Sequence, residues 1–378
     1  MNFRHLHSFF VACPLMITSL FLKPTPIRAQ DSSIASLPVV KIRLNRPDGI
    51  AAIASRSLFR HFEVIDERPD TARIGIHTTW SMIGNTYNRQ LVFGRSTVRE
   101  LSSYLDKHFA RPDAPYTALV ILRTLWLSDA NYIREELDKG DEKDIDKLTE
   151  RTHIRLKAEV YATRDSLYIP VFRYDTLHNT RKKSLLLRSP YAAWDEDLAD
   201  LITGLADSAS LVTVRKEGHS RLIRRDEIHK YNQSRHPYVP GCGDAMLNRG
   251  VYTSFEEFKN NGPSIKDFEI KKDKKSSLLY IKDGTGASYY SRTAWGLYDG
   301  KHIFIMKDGE LCPAWKEGES IYFLGEAYKE STGMRYEIPS PYGSIPLNNQ
   351  HPSVTPGHYY NYKQRCIYTL DMETGAVY

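Results

Sequence analysis

Three Asp-Gly pairs, Asp283-Gly284, Asp299-Gly300 and Asp308-Gly309, fall between short apolar runs in the last third of this chain. Aspartate followed by glycine suits the positive-φ positions of a type I′ turn, whose twist matches a two-residue hairpin loop. The runs between them, 277–281, 302–306 and 320–324, are strand-length and rich in Ile, Leu, Tyr and Phe. Three such turns in succession predict an antiparallel meander. The last dozen residues predict one more hairpin, turning at Glu373, Thr374 and Gly375.

The first half reads differently. Val40, Ile42 and Leu44 alternate with Lys41 and Arg43, the pattern of a half-buried strand. Residues 116–127 are nearly all apolar, as in a central strand. Ile154, Leu156, Ala158 and Val160 alternate with Arg155, Lys157, Glu159 and Tyr161, and a turn at 163–165 leads into 167–172. This predicts a hairpin, with Pro170 marking an edge strand. Thr97 and Glu100 have capping-box spacing ahead of a stripe of Val98, Leu101, Leu105 and Phe109. A second helix, about 192–207, puts Leu198, Leu201, Ile202 and Leu205 on one face. The charged stretch 129–151 reads as an exposed insertion.

Hairpins between helices imply α+β, and no glycine-rich phosphate loop follows a strand. Gly284 and Gly286 lack the third glycine and the helix that such a loop needs, and read as a hairpin turn. The expected fold is a mixed or antiparallel sheet with packed helices over 30–230. A linker at 231–248 and a β-hairpin-rich module over 249–378 follow.

The first 29 residues have the form of a secretory signal peptide. Arg4 precedes an apolar stretch from Phe9 to Leu22, and Ala29 ends a small-residue cleavage site before Gln30. The apolar stretch is shorter than the roughly 20 residues a bilayer span needs. Cys13 precedes the best apolar run instead of following it, which argues against a lipid-anchoring cysteine. The expectation is export to the periplasm or cell surface, with no transmembrane segment in the mature chain.

The net charge is +6, and three of the cations, Arg4, Lys23 and Arg28, lie in the leader. So small a surplus does not point to nucleic acid. Beyond Cys13 the chain has Cys242, Cys312 and Cys366, an odd set that allows at most one internal disulfide, and the spacing selects no pairing.

Candidate chemistry is sparse. Cys242 sits among glycines with His236 six residues earlier, the nearest approach to a thiol nucleophile and base. Asp66, Arg68 and Asp70 form a polar turn around Pro69, which also reads as a plain salt-bridged turn. Glu256 and Glu257 are adjacent carboxylates whose spacing from Thr253 and Ser254 is that of helix capping. His351 and His358 share a loop but not a metal-ligand spacing. Arg224 and Arg225 could attract an anionic surface. Tyr289-Tyr290 and the cluster Tyr359, Tyr360 and Tyr362 suit protein or glycan contacts as well as cross-strand packing. No cofactor or metal is implied.

The order of elements after the Asp66–Asp70 turn resembles small envelope lipoproteins of the YajG kind. Gly250-Val251-Tyr252, the block from Phe255 to Asn261, Pro263-Ser264, Trp295-Gly296 and the closing Leu370 to Gly375 resemble a family of uncharacterised exported proteins of Bacteroidota. These resemblances imply a cell-envelope setting and no reaction. The expected function is a non-enzymatic envelope protein that binds a protein or glycan. The alternative is a hydrolase with Cys242 and His236 at the domain junction.

Overall fold

The long apolar run at residues 116–128 becomes the strand around which the first sheet is organised. The structure is a computed structural model that describes residues 34–45, 50–80, 86–128, 151–181, 190–216, 220–231, 247–272, 277–282, 284–331, 337–338, 345–346 and 360–378. Residues 1–33, which include the stretch read as a leader, most of the charged stretch 129–151, and Cys242, His236, His351 and His358 lie outside the described residues.

The first module runs β1 (Val39–Ile42), α1 (Ile50–Ser55), β2 (Phe59–Asp66), β3 (Gly75–Trp80), β4 (Thr86–Phe93), α2 (Thr97–Phe109), β5 (Tyr116–Ser128), β6 (Arg151–Arg164), β7 (Leu167–Arg181), α3 (Pro190–Lys216) and α4 (Arg225–Tyr231). Its sheet has the order β1-β4-β3-β5-β6-β7, with β2 also paired to β5. One edge of β5 serves two strands in turn. β2 runs parallel to it from Phe59↔Tyr116 to Asp66↔Leu122, and β3 joins at Gly75↔Leu127. The other edge pairs antiparallel with β6, which turns into β7 through Asp165 and Ser166, both at positive φ. β7 is an edge strand, as Pro170 implied. The sheet is thus mixed and the fold α+β.

The alternation on β6 sorts its two faces. Ile154, Leu156, Ala158, Val160 and Ala162 enter the main core with Leu101, Leu105 and Phe109 of α2 and Leu198, Ile202 and Leu205 of α3. Arg155, Lys157, Glu159 and Tyr161 point the other way. α2 departs from the expected cap. Ser96 is the N-cap, accepting from the Arg99 N–H at 3.4 Å, while the Thr97 hydroxyl accepts from Arg68 at 2.9 Å. α3 is longer than its apolar stripe predicted. The buried hydroxyls of Thr203, Ser210 and Thr213 donate to carbonyls four residues earlier, so these three are satisfied within the helix.

The second module runs β8 (Gly250–Tyr252), α5 (Phe255–Lys259), β9 (Phe268–Lys272), β10 (Ser277–Lys282), β11 (Ser288–Ser291), β12 (Gly296–Tyr298), β13 (Ile303–Lys307), β14 (Glu310–Glu317), β15 (Ser320–Ser331), β16 (Glu337–Ile338), β17 (Ile345–Pro346) and β18 (Tyr360–Thr369). The strands on either side of the Asp-Gly pairs are antiparallel, but they do not form a single meander. β10 and β11 lie in a three-stranded sheet, β11-β10-β9, with Asp283 between them outside the described residues. Asp299-Gly300 and Asp308-Gly309 join strands of a six-stranded sheet, β18-β15-β14-β13-β12-β8.

α5 is capped as its spacing predicted. Ser254 accepts from the Glu257 N–H at 3.2 Å, and Glu257 reaches back to the Thr253 N–H at 2.7 Å. Glu256 is held by Lys259 and Asn260. The two carboxylates are therefore helix-end devices. Gly375, at φ +74°, packs on the ring of Phe255, so two of the motifs that carry the Bacteroidota resemblance touch. Cys312 on β14 and Cys366 on β18 are buried free thiols. β15 lies between their strands, which puts them roughly 10 Å apart, beyond disulfide reach.

Candidate functional site

The face of the first sheet opposite α2 and α3 is built as a charged stripe between two apolar patches. One patch, Leu119, Ile121 and Tyr161, is covered by Ile223 and by Ile228 of α4. The other, Ile76 and Trp126, is covered by Tyr322, Ile367 and Tyr378 of the second module. Between them lie Arg123, Lys157, Glu159 and Arg173 on neighbouring strands. Arg123 sits at a bulge in β5, between the register pairs of Leu122 and Thr124. Such an extra residue re-aims a side chain. Its guanidinium binds Glu67 and, at 3.2 Å, Glu159, whose carboxylate also accepts from the Tyr161 hydroxyl at 3.0 Å.

The polar turn at 66–70 has two roles. β2 leaves the edge of β5 at Asp66 and β3 arrives only at Gly75, so the carbonyl of Leu125 has no strand partner there. The buried Arg68 guanidinium fills that gap. It donates to the carbonyls of Arg73 at 2.7 Å and Leu125 at 3.3 Å, and to Asp66 at 2.7 and 2.8 Å. Asp66 and Arg68 are thus a clamp that closes the sheet edge. Asp70 faces the second module instead. It accepts from the Tyr322 hydroxyl and lies 3.1 Å from Arg73, whose guanidinium also binds Glu317 at 2.7 Å. Burial works against the Arg73 charge, but Glu317 and Asp70 outweigh it and hold its pKa above the ordinary arginine value.

The closing turn of the chain supplies the other half of the junction. Asp371 organises its own turn, accepting from the Glu373 N–H at 3.0 Å and the Thr374 hydroxyl at 2.9 Å. The same carboxylate pairs with Lys157 and accepts from the Tyr378 hydroxyl at 2.5 Å. Glu373 binds Lys157 at 3.0 Å and also Arg173. Lys157 is 1% exposed, so its charge is tolerable only because two carboxylates meet it. Burial pushes the Asp371 carboxyl up, but the Lys157 ammonium and the Tyr378 hydroxyl more than reverse this and leave it below the ordinary value. Tyr378 and Tyr322 are pushed well above the usual phenol range, first by burial and then by the carboxylates they face.

Next to these contacts the modules leave a cavity of about 520 Å³, walled by residues 67–70, 123–126, 319–320, 369–373 and 378. That is small-molecule size. Its wall offers the carboxylates of Glu67, Glu319 and Glu373, the Arg123 guanidinium, the hydroxyls of Thr124 and Ser320, and apolar surface from Trp126 and Met372. Most of these charges are pre-oriented by partners behind the surface, and Glu319 is exposed at the rim. Among the described residues no three His, Cys, Asp or Glu side chains are grouped so as to hold a metal ion.

Of the residues marked by sequence, Arg68 and Asp70 reach this cleft and Asp66 braces it. Cys242 and His236 lie outside the described residues, as do His351 and His358. Arg225 is not available to an anionic surface, because Glu63 and the Tyr168 hydroxyl hold it. Tyr290 donates to the Gly309 carbonyl at 3.1 Å and packs 5.9 Å from Tyr280, which is cross-strand packing. Tyr289 is exposed. Lys157, Arg123, Glu159 and Arg173 were missed. For Lys157 and Glu159 the signal was the charged face of an alternating strand, which reads as solvent-facing until something is known to cover it.

No family model matches the chain, and no curated protein matches it. Among solved structures, a Xanthomonas campestris protein of the DUF330 family aligns with a TM-score of 0.29 and 9% identity, covering 47% of this chain and 98% of that one. A likeness at that score carries no argument about fold or function.

Proposed function

We propose that this is an exported protein of the periplasm or cell surface that binds an envelope protein or glycan without catalysis, and that the inter-module cleft is its binding site. The carrying observation is the cavity of about 520 Å³ with walls from both modules, its charged groups held in place by ion pairs behind the surface. Pre-oriented polar groups beside an apolar patch are what a selective ligand site needs. The signal-like leader and the resemblance of the second module to exported proteins of Bacteroidota support the envelope setting. No helix among the described residues is long and apolar enough to cross a membrane.

The test is a pull-down from detergent-solubilised envelope with the protein beginning at Gln30, compared with Ser320→Trp, which fills the cleft. Expected is a component enriched by the native protein and lost with the variant. Enrichment of nothing over a blank resin, or equal enrichment by the filled variant, defeats the reading.

A further inference from the structure

One end of the first sheet gathers cations around exposed apolar side chains. The register places the starts of β2 and β5 together at Phe59↔Tyr116, beside the end of β6 at Thr117↔Thr163 and the hairpin tip Arg164↔Leu167. The last turns of α3 reach the same end, where the Ser210 hydroxyl accepts from the Leu58 N–H and Asp207 binds Arg56. The chain leaving α3 stays there, since Ser220 bonds back to Lys216 and Ile223 bridges to Tyr168.

This pole carries Arg60, Arg164, Arg215, Lys216, Arg221 and Arg224, all exposed. Among the described residues Arg60 reaches only a hydroxyl, that of Thr117. Arg164 and Arg221 make long, open pairs at 3.7 and 3.4 Å. Among the described residues no acid is within ion-pair distance of Arg215, Lys216 or Arg224. The nearby Asp113 and Asp207 are taken by Arg111 and Arg56, and Asp226 is exposed on α4. Among these cations Leu211, Val214 and Leu222 stand 46%, 61% and 50% exposed, the first two one turn apart on α3. The pole is roughly 20 Å along β5 from Arg123, so contact here leaves the cleft open.

We propose that this pole docks on the surface of a bilayer containing anionic phospholipid, with Leu211, Val214 and Leu222 entering the headgroup boundary. Charge complementarity selects the anionic surface, and the apolar side chains select a bilayer over a soluble polyanion. In water or against a polyanion they gain nothing, whereas the interface of a bilayer removes them from water.

The test is co-flotation of the protein beginning at Gln30, which retains every described residue, with vesicles of phosphatidylcholine alone or mixed with phosphatidylglycerol. Expected is binding to the anionic vesicles at least about tenfold above the neutral ones, weakening as salt shortens the screening length. Arg215→Gln with Lys216→Gln lowers it about tenfold or more. Leu211→Asn with Val214→Asn also lowers it, and inorganic phosphate does not compete. Leu222→Asn replaces the latter pair if that variant unfolds at a lower temperature than the native protein. Equal binding to both vesicle types, no binding, binding indifferent to the apolar substitutions, or competition by phosphate overturns the proposal.

Discussion

The ammonium of Lys157 and the carboxylate of Asp371, 214 residues apart in the chain, meet in an ion pair that leaves their side chains 1% and 3% exposed. It joins the first sheet to the closing turn of the second module. Removing Asp371 leaves the buried Lys157 ammonium with Glu373 alone, a carboxylate it shares with Arg173. Asp371→Ala is therefore expected to lose about 3–5 kcal/mol of unfolding free energy at neutral pH. Lys157→Met with Asp371→Leu is expected to lose much less than the two single changes together. Urea denaturation reads both values, and a single-variant loss below about 1 kcal/mol contradicts a desolvated pair.

The same groups set the response to pH. The Asp371 carboxyl titrates lower in the folded than in the unfolded chain, because the Lys157 ammonium and the Tyr378 hydroxyl outweigh its burial. Its contribution is thus present above the unfolded value of about 4 and lost as pH falls through the lower folded one. Tyr322 and Tyr378 titrate higher when folded, by burial and facing carboxylates. Their contribution is complete below about pH 10 and lost above it. Chemical denaturation across pH should show a plateau with falls at both ends. Asp371→Asn should flatten the acid fall relative to its own plateau, and an unchanged acid slope counts against the assignment.

Arg68 is expected to be sensitive to shape as well as charge. Its guanidinium serves Asp66, Thr97 and the carbonyls of Arg73 and Leu125 at once. Arg68→Met should cost about 3–5 kcal/mol, since it strands Asp66. Arg68→Lys should recover only part, because one ammonium cannot make the planar fork. Full recovery in thermal unfolding would show that only the charge matters.

Gly375→Ala tests the contact between the two motif blocks. A Cβ there would lie 2.3 Å from Phe255, on a backbone at φ +74°. The substitution should cost about 2 kcal/mol or more. Gly284 has open space around it and serves as the control, with Gly284→Ala expected within about 0.5 kcal/mol of native. Equal effects at the two sites would mean that Phe255 gives way.

Local pattern went far in this chain. The alternation on β6, the stripe on α2, the cap of α5 and the Asp-Gly turns were all legible, because each depends on residues within a few positions of one another. The N-cap of α2 was misread by one residue, because the Thr97 hydroxyl is claimed by Arg68, 29 positions away. The Asp-Gly turns fixed hairpins but not which sheet each hairpin joins, since sheet membership depends on strands far along the chain.

The candidate site was the least legible part. Lys157 and Glu159 alternate with core residues, so sequence assigns them correctly to the face opposite the main core. Whether that face meets water or protein is not a property of the strand. A charged residue is cheap in water and needs a partner out of it, and the partners of Lys157 come from a turn at the far end of the chain. The sequence by itself determined the α+β class, the hairpins and the helix faces, because these follow from local periodicity and turn chemistry. Only the tertiary structure decided that the charged stripe is buried between two modules and borders a cleft, because desolvation depends on what packs against a surface.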